Sequence, residues 1–327
     1  VQNPKSKIQN LESKMSLSLI PKLLLLLASF LGVTYLAICG LLWLRQTRMI
    51  FFPSSDLEVT PTHLGLSYEE VWLPVEKQAE PKLLPQGNSM PEQIHGWWIP
   101  ANGSAQAVLL YLHGNGLNIG ANLNHAARFQ RLGMSVLLMD YRGYGRSQGS
   151  FPNEQQVYQD AETMWNYLVQ ERQIPPERIL VYGHSLGGAV AIELATRRPQ
   201  MAGLIVDGSF TSIRDMVTLL PSLRFFPVDG LLHQRFNSIE KITNLQMPLL
   251  LIHGTADTQV PASMSEELYI TATAPKQLYL IPNAGHNDVA EIAGPEYMQV
   301  VQKFMQQSIG QEMSSPRHNV TPHATSM

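Results

Sequence analysis

Apolar positions fall into two patterns along this chain. From Leu23 to Leu44, 22 consecutive residues carry no charge (LLLLLASFLGVTYLAICGLLWL). A helix needs about 20 such residues to cross the hydrocarbon core of a bilayer. Lys22 stands at one end and Arg45 and Arg48 at the other, with Tyr35 and Trp43 inside the run. The pattern predicts an N-terminal flank over 1–22 and a transmembrane helix over 23–44. A cleaved signal peptide is the competing reading, but its apolar region spans roughly 7–15 residues and ends at a small-residue site. Here the run is longer and ends in LLWLRQTR, and Leu36-Ala37-Ile38-Cys39 fits a lipoprotein cleavage box poorly because isoleucine precedes the cysteine.

The second pattern begins at Ala107. Short, continuous apolar blocks alternate with amphipathic stretches: AVLLYLHGNG, SVLLMDYRGYG, RILVYGHS, GLIVDGS, PLLLIHGTAD and KQLYLIPNAGH read as strands. IGANLNHAARFQRLG reads as a helix closed by Gly133, and NEQQVYQDAETMWNYLVQER as a long helix with Val157, Ala161, Met164, Trp165 and Leu168 on one stripe. Further helices follow from Leu186 to Arg197 and from Asp288 to Gln307. Strands that are apolar on both faces belong to a parallel sheet covered by helices on both sides. Two shorter β-like segments precede them, at Glu70–Leu73 and Ile94–Ile99, with an exposed Pro- and Gln-rich loop at Glu80–Glu92 between. Met49 to Pro53 is an apolar stretch expected at the membrane interface or capping the domain. The predicted domain covers 49–308. Within it, the apolar segment 210–245 breaks the alternation and is expected to arch over the sheet as a short cap. The tail over 309–327 has almost no core formers and is expected to be disordered.

Composition narrows the function classes. The 327 residues carry a net charge of −3 and no Lys/Arg run, which argues against a nucleic-acid partner. One cysteine, Cys39, excludes an internal disulfide framework. Lys5, Lys7, Lys14 and Lys22 precede the apolar run, so the positive-inside rule leans the N-terminus to the cytoplasm. A start at Met15 would remove that bias. Asn102-Gly103-Ser104 and Asn319-Val320-Thr321 are glycosylation sequons that matter only in a eukaryotic secretory pathway.

The chemistry concentrates on one turn. Ser185, in GHSLGG, follows a strand and opens a helix, with glycines at 183, 187 and 188. That context is what a G-x-S-x-G nucleophile elbow requires: a strained serine, exposed at the end of a strand, with glycines where strand and helix press together. A serine hydroxyl needs a base. Of ten histidines, His318 and His323 lie in the tail, and His63 and His95 precede the repeating core. His125 lies within a helix, His233 in the cap, and His184 is expected to point away from Ser185. His113 and His253 end strands before glycine, where each braces a turn. That leaves His286, just past the last strand, with His253 the rival. Asp257, after the penultimate strand, is the carboxylate expected to orient the base. Asp207 is its rival. Asp140 is expected to anchor its turn with Arg142 or Arg146. The oxyanion donors would be the N–H groups of Leu186 and of Asn115 in HGNG, with Gly116 next in line.

HGNG at 113–116, DYRGYGRS at 140–147, GHSLGG at 183–188, HGTAD at 253–257 and GHND at 285–288 together resemble the α/β-hydrolase superfamily. Their order and spacing are similar to its membrane-anchored, single-span, serine aminopeptidase-like branch over about residues 68–307. The resemblance implies a mostly parallel eight-stranded sheet and a Ser185/His286/Asp257 triad in the chain order of that fold, with no metal or organic cofactor. Some relatives remove fatty acyl groups from lipidated proteins, but this chain lacks the cysteine-rich N-terminus of one such branch.

Three functions follow as expectations. The first is a membrane-tethered serine esterase or thioesterase, acting on an acyl or lipid-like ester. The second is an aminopeptidase or amidase with the same triad, for which the sequence offers no evident acidic site for a substrate ammonium. The third is a non-catalytic membrane scaffold that keeps the fold.

Overall fold

The computed structural model describes residues 4–75 and 91–310. Most of the predicted 80–92 loop, the tail from 311 and the 319–321 sequon lie outside the described residues.

The strands are β1 (Phe52–Pro53), β2 (Glu69–Val75), β3 (Glu92–Ile99), β4 (Ala107–Leu112), β5 (Gly116–Leu117), β6 (Met134–Met139), β7 (Ile179–His184), β8 (Gly203–Asp207), β9 (Leu249–Gly254) and β10 (Lys276–Ile281). Eight of them form one sheet in the order β10-β9-β8-β7-β4-β6-β3-β2. The six from β10 to β6 run parallel. β3 joins β6, and β2 joins β3, in antiparallel register. The sheet is therefore mixed at one edge and parallel through its middle, the α/β-hydrolase arrangement expected from the motifs.

The helices are α1 (Pro4–Ile50), α2 (Leu123–Arg131), α3 (Glu154–Asn166), α4 (Leu186–Arg197), α5 (Ile213–Thr218), α6 (Val228–Leu231), α7 (Ser238–Lys241), α8 (Ala262–Thr271), α9 (Val289–Ala293) and α10 (Pro295–Gly310). Side chains alternate across the pleat of each strand, so one strand feeds two cores. Val108, Leu110 and Leu112 pack with Val157 of α3, Val190 of α4 and Leu268 of α8. Ala107, Leu109 and Tyr111 pack on the other face with Phe129 of α2 and Val301 and Phe304 of α10. Both faces of the sheet are thus covered, which is why its strands read as unbroken apolar runs.

Three local readings change. The apolar run is part of one long helix, α1, that continues to Ile50. The Met49–Pro53 stretch does more than cap the domain: Phe52–Pro53 pairs in parallel with Gly116–Leu117. Phe51 is buried and packs edge-on against Phe236 at 6.0 Å. The predicted Asp288–Gln307 helix is two helices, broken at Gly294 (φ +56°) before Pro295. A glycine at positive φ followed by proline stops one helix and starts the next.

Chain order sets the position of the cleft. After β4 the chain moves to β6 on one side, then crosses back to β7 on the other. The turns after β4 and β7 consequently diverge to opposite faces of the sheet. A crevice opens at such a switch point, beyond the carboxyl ends of the strands. Gly114, Asn115 and Ser185 border it.

Candidate active site

Ser185 sits between β7 and α4 with φ +53° and ψ −119°. An L-residue held there costs on the order of 1–3 kcal/mol. Its neighbours hold it in place: Ser185 N–H donates to the Asp207 carbonyl at 2.8 Å, and Gly188 N–H to the Ser185 carbonyl at 2.9 Å. The glycines are set by close approach. A Cβ on Gly183 would stand 2.2 Å from the Gly187 carbonyl oxygen, and one on Gly187 would stand 2.1 Å from that of Leu112.

His286 reaches back from the loop after β10. Its Nε2 lies 3.0 Å from Ser185 Oγ, and its Nδ1 lies 2.6 Å from Asp257 Oδ2. The folded chain therefore brings together the three side chains singled out in the sequence. An ionised carboxylate only accepts, so Nδ1 carries the proton and Nε2 is free to accept from the serine hydroxyl. The loop is braced twice. Ala256 N–H donates to the Ala284 carbonyl at 2.8 Å, and Gly285 N–H to Asp288 Oδ1 at 2.6 Å.

Asp257 is well supplied with donors. Its Oδ1 accepts from Gln259 N–H at 2.8 Å and Val260 N–H at 2.9 Å. Burial works to raise its pKa, but hydrogen bonds from His253, His286 and Val260 outweigh it and hold the carboxyl well below its ordinary range. His253 does brace the turn, since its Nε2 lies 2.9 Å from the Val260 carbonyl. It also lies 3.2 Å from Asp257 Oδ2, with Ser265 Oγ 2.6 Å from its other nitrogen. The rival base thus buttresses the carboxylate and does not face the serine. The rival acid, Asp207, is buried and accepts from Tyr182 Oη at 2.8 Å. Burial pushes its carboxyl up to about 6.

One expectation is extended and one corrected. His184 is turned to the facing loop: its ring lies 5.0 Å from that of His286, and its Nε2–H donates to the His286 carbonyl at 3.1 Å. A residue beside the nucleophile on the same turn is within reach of the facing loop, a relation that local sequence does not show. Burial lowers its pKa to about 3, and that of His125 nearby to about 4, so both are neutral at pH 7. Asp140 pairs with neither arginine. Its Oδ1 accepts from Ile119 N–H at 2.9 Å and lies 3.4 Å from His113 Nε2. Arg142 instead pairs with buried Asp160 at 2.7 Å, and Arg146 with Glu70 at 2.7 Å.

The loop after β4 is clasped by the end of α1. Asn115 Nδ2 donates to the Ile50 carbonyl at 2.8 Å, and Phe52 N–H donates to the Asn115 carbonyl at 2.8 Å. Tyr144 Oη donates to the same carbonyl at 2.6 Å. One peptide back, the Gly114 carbonyl accepts from His113 Nδ1 at 2.7 Å. In a trans peptide the N–H points opposite the C=O, so the Asn115 N–H is turned away from His113. Among the described residues, neither this N–H nor that of Leu186, the first residue of α4, donates to another protein group. The Asn115 side chain's hold on Ile50 has no local signature, because the partners are 65 residues apart.

The cleft at Ser185 has a volume of about 380 Å³. Besides Ser185 and His286, Asn115, Asn122, His125, Gln259 and Asn287 line it, and no carboxylate does among the described residues.

The family model for the serine aminopeptidases (S33) matches residues 103–240, ending before Asp257 and His286. A Mycobacterium tuberculosis protein is 33% identical over 272 residues, covering 81% of this chain and 88% of its own. The protein bem46 of Schizosaccharomyces pombe is 32% identical over 293 residues, covering 84% of this chain and 90% of its own. The chain belongs to the α/β-hydrolases of the serine aminopeptidase type. In keeping with that, an esterase from Pyrococcus furiosus superimposes on the hydrolase with a TM-score of 0.63. The match covers 79% of this chain and 98% of the esterase at 22% identity, a likeness of fold. A Pyrococcus horikoshii acylaminoacyl peptidase gives 0.56 at 16% identity, covering 76% of the hydrolase and 43% of the peptidase. An esterase and a peptidase thus share this fold, and the choice between the two activities rests on the site.

Proposed function

We propose that this hydrolase is a membrane-tethered serine esterase or thioesterase working through Ser185, His286 and Asp257. The observation that carries the reading is the continuous hydrogen-bonded line from Ser185 Oγ through His286 to Asp257. Ser185 Oγ attacks the carbonyl carbon while His286 Nε2 takes its proton. Negative charge gathers on the carbonyl oxygen, and the N–H groups of Leu186 and Asn115 receive it. The C–O or C–S bond then breaks, and the leaving group takes the proton from His286. Water, deprotonated by His286, attacks the acyl-serine and releases the acid. Asp257 stabilises the imidazolium formed in each half-reaction.

The cleft favours esters over N-terminal peptide bonds. An aminopeptidase must bind a substrate ammonium, and the lining offers no carboxylate for it. Its amides and imidazoles suit an oxygen-rich group beside the scissile bond. The tether is the segment Pro21–Ile50, long and apolar enough to cross a membrane and 6% buried against the rest of the chain in its most apolar window.

The test is turnover of p-nitrophenyl esters of rising chain length against aminoacyl-anilides. Esters are expected to win by orders of magnitude; faster anilide cleavage would overturn the ester reading. A second measurement addresses the clasp. Asn115→Ala keeps the N–H but frees its placement. It is expected to lower kcat by up to about 10²-fold, the lower range for losing an oxyanion donor, with KM roughly unchanged in steady-state kinetics. An unaltered kcat would show that the side-chain hold on Ile50 does not place this N–H.

A further inference from the structure

The cap packs along the apolar helix α1. Its backbone runs alongside α1, from the domain end of the charge-free run towards the middle. At the domain end, Gln46 Nε2 donates to the Leu231 carbonyl at 2.6 Å, and its Oε1 accepts from His233 N–H at 3.0 Å and Gln234 N–H at 3.2 Å. Three residues further in, the Trp43 ring lies 5.4 Å from His233. Deeper still, Tyr35 stacks on Phe226 at 5.5 Å with the planes 4° apart, and its Oη donates to the Phe225 carbonyl at 3.0 Å.

Tyr35 lies nine residues before Leu44, about 14 Å along a helix axis. A transmembrane helix tilted by up to about 40° still carries that point roughly 10 Å below the edge of the hydrocarbon core. Whatever packs against Tyr35 shares its depth. The cap tip is dressed for that environment: Leu219, Leu220 and Phe225 are 46%, 49% and 67% exposed. Part of its backbone is also paired within the chain, which lowers the cost of facing lipid. Leu219, Leu220, Leu223 and Phe226 donate their N–H groups to Met216, Val217, Leu220 and Leu223, and the Phe225 carbonyl is taken by Tyr35. Arg224, its guanidinium 4.7 Å over the Phe225 ring, has a stem long enough to carry its charge towards the headgroups.

We propose that the cap tip, residues 219–226, is immersed among the acyl chains of the leaflet facing the hydrolase domain, a second membrane contact beside α1. Interfacial elements bury to about 5–10 Å, which matches the depth of Tyr35 in a tilted helix. With two contacts the domain cannot swivel freely on its tether, and one face of the cap is held against the lipid. The proposal rests on the membrane-tethered reading of α1.

Full-length chain carrying Cys39→Ser is reconstituted in phosphatidylcholine–phosphatidylglycerol vesicles. A bimane label is attached at one introduced cysteine: Phe225→Cys in the cap, Leu26→Cys in α1, or Ile270→Cys on the exposed face of α8. Quenching by doxyl-labelled lipids is compared with quenching by aqueous iodide. The label at 225 is expected to follow that at 26, quenched by lipid and shielded from iodide, while the label at 270 behaves oppositely. If 26 is lipid-quenched and 225 is quenched by iodide like 270, the cap proposal is overturned and the tether stands. If 225 is shielded from both quenchers, protein covers the tip and the lipid assignment is wrong. If 26 itself is open to iodide, the tether reading falls and takes this proposal with it.

Discussion

Ser185→Ala should lower ester turnover by about 10⁶-fold, and Asp257→Asn by about 10⁴-fold, in chains that keep their far-UV circular dichroism. The first change removes the nucleophile. The second acts through proton placement. Oδ1 of Asp257 is fixed by two backbone donors, Gln259 N–H and Val260 N–H. An asparagine there must keep its carbonyl oxygen towards those donors, which turns its amide NH₂ towards His286. The imidazole would then have to accept at Nδ1 and carry its proton on Nε2, facing the serine, where it cannot act as a base. Asp207→Asn supplies the contrast. That carboxyl accepts from Tyr182, so the substitution should change kcat by less than about tenfold, within the cost of one neutral hydrogen bond. Loss of activity in Asp207→Asn with retention in Asp257→Asn would reassign the acid.

Gly187→Ala should be the most damaging single-methyl change in the domain. The added Cβ would meet the Leu112 carbonyl oxygen at 2.1 Å and that of His113 at 2.6 Å. Both are backbone atoms at the end of a central strand, so relief requires α4 to move away from β4. That movement would carry Ser185 off the line to His286. A destabilisation of at least about 4 kcal/mol is expected, at the far end of the range for point changes. Gly230→Ala, with nothing within 4 Å of the added carbon, should stay within about 0.5 kcal/mol of the parent. Thermal melts of the two variants in the same detergent make the comparison. A Gly187→Ala chain melting with the parent would show that the elbow tolerates more space than its geometry allows.

The parallel core was legible because its strands are buried on both faces, so AVLLYL and ILVYGH stand out as unbroken apolar runs. Ser185, Asp257 and His286 were legible for a related reason. Each follows a strand, and parallel strands deliver their trailing residues to one end of the sheet. Contacts made by long-range pairing were hidden. The Phe52–Pro53 strand is too short to carry a pattern and exists only because Gly116–Leu117 lies beside it. Asp140 looked like an arginine partner because Arg142 and Arg146 are near in sequence, yet Arg142 is claimed by Asp160 from α3. The partner of His184 was hidden for the same reason, since the carbonyl it serves belongs to His286, 102 positions along the chain. The turn at Gly294 was missed because the apolar stripe resumes beyond it with little change of phase.

The Ser185–His286 pair is tested by reaction with a fluorophosphonate, followed by mass spectrometry of the digested chain. One covalent adduct is expected, on Ser185, formed by the folded protein and strongly slowed in His286→Gln. An adduct mapped elsewhere, no adduct at all, or a Ser185 adduct whose rate ignores His286 would contradict the assignment of nucleophile and base.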